Sequence, residues 1–178
     1  NNIEEHVEPW TYVKLPYLKK IGWKGLVDGP DSGIYRVAPL GRLNAADGMA
    51  TPLAQEEYKR MYETLGGKPV HATLATHWAR LIELLYAAER TLELSRDKDV
   101  TSTDLRGKLG QPGEGVGIVE AARGTLIHHY KLDEDALVEK VNLIVATTNN
   151  YPAICMSIRD AAKGLIHGGK VDNGILNM

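Results

Sequence analysis

Arg123 stands in a run of small residues, between Ala121-Ala122 and Gly124, where other groups can approach a side chain closely. A guanidinium stays cationic and offers several N–H donors in one rigid plane. That suits holding and polarising an anion or a polar ligand. It suits proton abstraction poorly, because the pKa lies far above neutrality. The plainer reading is a turn arginine paired with a surface carboxylate, and local features alone favour it, since most arginines are exposed. The histidines are His6, His71, His77, His128, His129 and His167, with no i, i+4 pair among them. His128 and His129 fall on one expected strand and must face opposite sides. Without cysteine or carboxylate partners at ligand spacing, the histidines read as core or surface side chains rather than zinc ligands. Cys155 lies early on an expected helix, where a helix N-terminus could lower a thiol pKa. No His or Asp signature accompanies it, so burial as a small apolar residue is expected. Gly113-Glu114-Gly115-Val116-Gly117 has the look of a phosphate-cradling loop. Dinucleotide binding needs a strand before the glycines and a helix after them. Here a polar loop precedes and a strand follows, so the expectation is a glycine-rich turn entering a strand that passes close to other backbone.

The elements that must position these groups follow from periodicity and punctuation. Residues 1–50 are broken by Pro9-Trp10, Pro16-Tyr17, Gly22-Trp23, Gly29-Pro30 and Pro39, which favour turns and short strands. The plausible strand there is Gly33–Ala38, ended by Pro39. Thr51-Pro52 then opens a helix, with Thr51 as N-cap and Pro52 in the first helical position. Ala54, Tyr58, Met61, Tyr62 and Leu65 keep its 3.6 period, and Gly66-Gly67 closes it. The longest helix is expected from His71 to Arg96. Its stripe of Leu74, Trp78, Leu81, Ile82, Leu85, Ala88 and Leu92 implies burial against other helices. Residues 97–115 read as a polar loop. Strands are expected at about 116–121, 125–132 and 137–146, the last two separated by a turn at Asp133-Glu134-Asp135, as an antiparallel meander. A last helix is expected over Pro152–Ile166, with Ile154, Ile158, Ala161, Ala162 and Leu165 on one face and Gly168-Gly169 ending it. The fold class is therefore α+β and mainly α: a helical bundle with a small antiparallel β-meander. The organisation is one piece, 1–178: 1–50 extended and turn-rich, 51–96 helical, 97–115 loop, 116–146 meander, 147–178 helix and tail.

Composition narrows the function classes. The chain has 178 residues, 43% hydrophobic and 25% charged, with a formal net charge of -2. No basic field is present to attract nucleic acid or anionic lipid. No apolar run approaches the roughly 18 residues that span a bilayer. The polar start Asn1-Asn2-Ile3-Glu4-Glu5-His6 is unlike a signal peptide. A single cysteine, Cys155, rules out an internal disulfide and a self-contained cysteine-rich metal site. A start without methionine and an apolar end, Asn173-Gly174-Ile175-Leu176-Asn177-Met178, suggest that both ends are cuts.

The run Val119-Glu120-Ala121-Ala122-Arg123-Gly124-Thr125-Leu126 resembles the EAPRG motif of nickel–iron hydrogenase large subunits. Downstream, Val145-Ala146-Thr147-Thr148 with Asn150 resembles their VPTTxN motif. Upstream, His6-Val7-Glu8-Pro9-Trp10-Thr11-Tyr12, Tyr35-Arg36-Val37-Ala38-Pro39-Leu40-Gly41-Arg42-Leu43-Asn44 and Ala79-Arg80-Leu81-Ile82-Glu83 look like the multimeric cytoplasmic branch, which includes viologen-reducing and NAD- or deazaflavin-linked enzymes. The likeness covers nearly the whole chain, in order. It implies an internal fragment of a large subunit whose parent reversibly oxidises dihydrogen at a Ni-Fe(CN)2(CO) centre. The implied partners are further electron-transfer subunits and an iron–sulfur small subunit.

In that family the EAPRG arginine projects over the open site between nickel and iron, which assigns the catalytic role to Arg123. The VPTT hydroxyl hydrogen-bonds a cyanide, which assigns cofactor contacts to Thr147, with the backbone of Ala146 beside it. Both motif prolines are alanine here, Ala122 and Ala146, and alanine keeps an N–H that proline lacks. The family binds its metals through two CxxC pairs, and neither is in this chain. No metal ligand is therefore assigned, no cofactor is expected on the fragment alone, and the fragment alone is expected to be inactive. The alternatives are a quinone-site-type subunit of complex I, an energy-converting hydrogenase, or a non-catalytic paralogue or scaffold.

Overall fold

Met61, Ala79 and Ile82 have essentially no exposed surface, and the helices that carry them form the core of the larger of two compact units, Val37–Leu143. The structure is a computed structural model and describes residues 2–177. In this unit α1 (Pro39–Ala45), α2 (Pro52–Thr64) and α3 (Ala75–Leu94) pack around Leu43, Ala54, Tyr58, Met61, Ala79 and Ile82. Pro52 opens α2 as expected. Thr51, however, does not cap it with its own side chain. Its hydroxyl donates to Glu89 Oε2 on α3 at 2.6 Å, and the same carboxylate accepts the Leu53 and Ala54 N–H groups at 3.1 and 3.0 Å. One α3 carboxylate thus satisfies the orphan donors that open α2. The Thr51 hydrogen bond, with those two amides, holds the Glu89 carboxyl below its ordinary value against the opposing effect of burial. Tyr58 and Tyr62 meet edge to face at 4.8 Å. The Tyr62 hydroxyl donates to Asn44 at 2.8 Å, and burial pushes its pKa up to about 12.

The α3 stripe is only half right. The buried face is Ala75, Ala79 and Ile82, with Trp78, Leu85 and Tyr86 partly covered. Leu81 and Leu92 are 63% and 55% exposed. The apolar stripe is wider than the side that α1 and α2 cover, and periodicity cannot say which half is capped. The helix also begins at Ala75 rather than His71, after i→i+3 bonds from Ala75, Thr76 and His77 to Ala72, Thr73 and Leu74.

A 3-10 turn (Lys98–Thr101) leads to a three-stranded sheet: β3 (Glu114–Ala121), β4 (Gly124–Leu132) and β5 (Val138–Ile144), in that order. β3 and β4 are antiparallel, in register from Glu114↔Lys131 to Ala121↔Gly124. The turn before β5 is built on Asp133, whose side chain accepts the Asp135 and Leu137 N–H groups at 3.0 and 2.9 Å. The expected meander is present within about two residues of its predicted bounds. All eight β3 residues are exposed. The glycines do not behave as expected: a Cβ at Gly113, Gly115 or Gly117 would meet nothing within 4 Å, so this strand passes no close backbone.

The other unit combines residues 1–36 with 144–178. β1 (Ile3–Val7) and β2 (Lys14–Leu18) form an antiparallel pair, Ile3↔Leu18 to Val7↔Lys14. Leu15 and Pro16 are fully buried on β2, which packs on α4 (Ala146–Leu165), and α5 (Asn173–Leu176) follows. The strand expected at Gly33–Ala38 does not form, and the segment runs without a ladder into α1. Gly33 O accepts Leu18 N–H at 2.8 Å, which ties the segment to the end of β2 by one bond. The last helix begins at Ala146, not Pro152, which lies buried inside it. Proline removes one donor but does not end the helix, because its own φ is helical. The buried face is Ala146, Asn149, Pro152, Ala153 and Met156. Ile158, expected inside, is 63% exposed. The α+β class holds: helices plus small antiparallel sheets.

Candidate functional site

Ala122 and Arg123 are the two residues between the last β3–β4 pair, Ala121↔Gly124. Two-residue hairpins usually need φ > 0 within the loop. Neither Ala122 nor Arg123 adopts it; Gly124 does, at φ +129°. A Cβ on Gly124 would sit 2.3 Å from Val37 Cγ2 and 3.0 Å from the Ala38 N, so only glycine fits beneath this segment. Ala38 is itself held at φ 121°, ψ 179°, a region that is essentially glycine-only, immediately before Pro39. Backbone strain is therefore stored where the chain crosses the hairpin tip.

Polar groups from α1 and α3 grip the same tip. Arg42 forms a fork with Glu83, Nε to Oε1 and Nη2 to Oε2, both at 2.6 Å. Its Nη1 donates to Glu120 Oε2 at 2.9 Å and to the Ala121 carbonyl at 2.8 Å. The Thr125 hydroxyl donates to the other Glu120 oxygen at 2.5 Å. Arg80 Nη1 reaches the Ala122 carbonyl at 3.3 Å. The Glu83 hydrogen bonds raise the Arg42 pKa further, against burial and with Glu120 adding to the effect. Arg123 itself is exposed, with no hydrogen bond or ion pair among the described residues. The arrangement is a rigid mount for a free cation.

Thr147 belongs to the other unit, exposed on the first turn of α4 beside buried Ala146. Val145, the N-cap, supplies no capping side chain. The first N–H groups of α4 thus have no intrahelical acceptor, at the positive end of the helix dipole. Fully buried Asn149 anchors this turn: Oδ1 accepts the Tyr35 hydroxyl at 2.5 Å, and Nδ2 donates to the Val145 carbonyl at 3.2 Å. Burial drives the Tyr35 pKa well above its ordinary value, which keeps it a neutral donor. Asn149 was not legible in the sequence. The motif resemblance points to its neighbour Asn150.

The remaining candidates are structural. Cys155 is partly buried on α4 rather than fully so. The His128 ring faces Tyr130 at 5.8 Å, while His129 meets Glu114 at 2.6 Å, so the two point to opposite sides as strand geometry requires. No group of three or more His, Cys, Asp or Glu is gathered as a metal-ligand set among the described residues. No helix among the described residues is long and apolar enough to cross a membrane. Sequence reasoning missed Arg42, Glu83 and Gly124 as the mount of the Arg123 turn, and Asn149 as the anchor of the first turn of α4. Lone residues spread over four elements leave no local spacing to read.

No family model matches the chain. An F420-non-reducing hydrogenase iron-sulfur subunit from Archaeoglobus profundus is 52% identical over 99% of the chain, which spans 37% of that relative. The beta subunit of the NAD-reducing hydrogenase HoxS from Cupriavidus necator is 42% identical over 99% of the chain and 36% of its own length. A crystal structure of an NAD+-reducing NiFe hydrogenase in the H2-reduced state matches with a TM-score of 0.86 at 40% identity, across 99% of this chain and 38% of that one. Over almost all of its length the chain is similar, in sequence and in fold, to a segment of hydrogenase subunits, and it spans a little over a third of those relatives.

Proposed function

We propose that the chain is part of the catalytic large subunit of a nickel–iron hydrogenase, whose parent enzyme reversibly converts dihydrogen into two protons and two electrons. The observation that carries this is 52% identity, across 99% of the chain, to a hydrogenase subunit. Each of the two units, taken by itself, offers donors of the kind that would surround rather than ligate a Ni-Fe(CN)2(CO) centre. The chain gathers no ligand cluster among its described residues, yet it offers an unpaired guanidinium at Arg123. It also offers the exposed Thr147 hydroxyl beside the open first-turn amides of α4. Such donors stabilise anionic cyanide ligands and tune a metal without binding it. When bound, the metals supply the redox chemistry. Arg123 would offer that group N–H donors in one rigid plane. Thr147 and the amide of Ala146 donate hydrogen bonds; Asn149 and Gly124 hold the two turns in place. Family partners would be further electron-transfer subunits and an iron–sulfur small subunit. The cytoplasm is the proposed compartment, supported by the nicotinamide named as electron acceptor of one relative.

The test is Arg123→Lys in the full-length subunit with its partners. Nickel content should stay unchanged while dihydrogen oxidation falls at least tenfold, because lysine lacks the planar fork. Turnover equal to the parent's would remove Arg123 from the mechanism. A full-length gene without two CxxC pairs would sink the parent assignment itself.

A further inference from the structure

We propose that Arg42 is a positioning residue for Arg123: it clamps the Ala121–Gly124 turn to α3, so that the backbone beneath Arg123 is fixed while its guanidinium stays free. The inference rests on the reading of Arg123 given above. The Arg42–Glu83 fork alone would join α1 to α3, two helices that already pack together. The remaining hydrogen bonds of Arg42 leave the helices and go to the hairpin, to Glu120 and the Ala121 carbonyl. Glu120 passes the constraint across the ladder to Thr125, its register partner. Arg80, one helical turn before Glu83, takes the Ala122 carbonyl. Gly124 is wedged beneath Val37 and Ala38. Residues 120, 121, 122, 124 and 125 are therefore each held through a side chain, a carbonyl or steric fit, whereas the Arg123 side chain has no hydrogen bond or ion pair among the described residues. A planar guanidinium can serve Glu83, Glu120 and a carbonyl in one geometry; a lysine ammonium cannot keep all three aligned.

The experiment uses the full-length subunit in complex with its partners and compares Arg42→Lys, Arg123→Lys and the double variant. Dihydrogen oxidation is measured per bound nickel, and hydrogen exchange is followed at the amides of residues 120–125. Arg42→Lys should retain nickel and KM, lower kcat by about tenfold to a hundredfold through misplacement of the guanidinium, and speed exchange at the turn. The double variant should be no slower than Arg123→Lys alone, because Arg42 acts through Arg123. Full turnover in Arg42→Lys, unchanged turn protection, or losses that multiply in the double variant would each overturn the positioning role while leaving Arg123 in place. Parental turnover in Arg123→Lys would overturn the reading beneath it instead. If Arg42→Lys does not fold, Glu120→Gln loosens only the hairpin side of the clamp and carries the same expectations.

Discussion

Within residues 37–143, the helices and the sheet keep their places by opposite means. α1, α2 and α3 bury Leu43, Met61, Ala79 and Ile82 almost completely. β3 buries nothing: Val116, Ile118 and Val119 are 61%, 64% and 61% exposed. Its hairpin is anchored at the tip, by the Arg42 clamp and by the fit of Gly124 under Val37. The helices therefore carry the hydrophobic free energy of this unit. The tip carries geometry, through directional bonds and a steric limit. Stability and positioning are assigned to different residues, which lets the turn be held firmly while Arg123 itself stays exposed.

Three substitutions divide those roles, from the largest expected effect to the smallest. Met61→Ala removes a fully buried side chain from the helical core and should cost about 2–5 kcal/mol in denaturant unfolding. A cost below about 1 kcal/mol would break the claim that the helices dominate stability. Ala38→Gly should stabilise. Relief of strain at φ 121° is worth about 1–3 kcal/mol, against about 0.5–1 kcal/mol of added backbone freedom in the unfolded chain. A net gain of about 1 kcal/mol is expected from those two figures. A loss would mean that the strained backbone is not maintained in solution. Ile118→Thr should change the unfolding free energy by no more than about 0.5 kcal/mol, since the side chain is largely exposed and threonine keeps the β-branched shape. A loss of about 2 kcal/mol would show that the sheet face is covered in solution.

Several particulars were legible in the sequence because they depend on neighbours in the chain. Pro52 after Thr51 set the start of α2, and Asp133 set the turn into β5. Where packing chose between possibilities, local signals failed. The α3 stripe offered two usable sides, and α1 and α2 covered the one through Ala75, Ala79 and Ile82. On α4 the isoleucines suggested one face, yet Asn149, Pro152 and Met156 are the residues inside. The extended Gly33–Ala38 run read as a strand but pairs through no ladder, because a strand needs a partner that the sequence does not specify.

Residue order alone determined the α+β class, the helix and strand periods, the hairpin that carries Arg123, and the resemblance that gives Arg123, Ala146 and Thr147 their proposed roles. Each of these is a short-range pattern, set by backbone sterics and by side-chain spacing of 3.6 or 2. Tertiary structure decided the rest. It brought Arg42, Glu83 and Glu120 together across 78 residues of sequence. It pressed Val37 onto Gly124, far along the chain, and it set Asn149 beneath Tyr35 across 114 residues. Contacts at such separations are chosen by which surfaces meet when the chain closes on itself, and no local spacing encodes that choice.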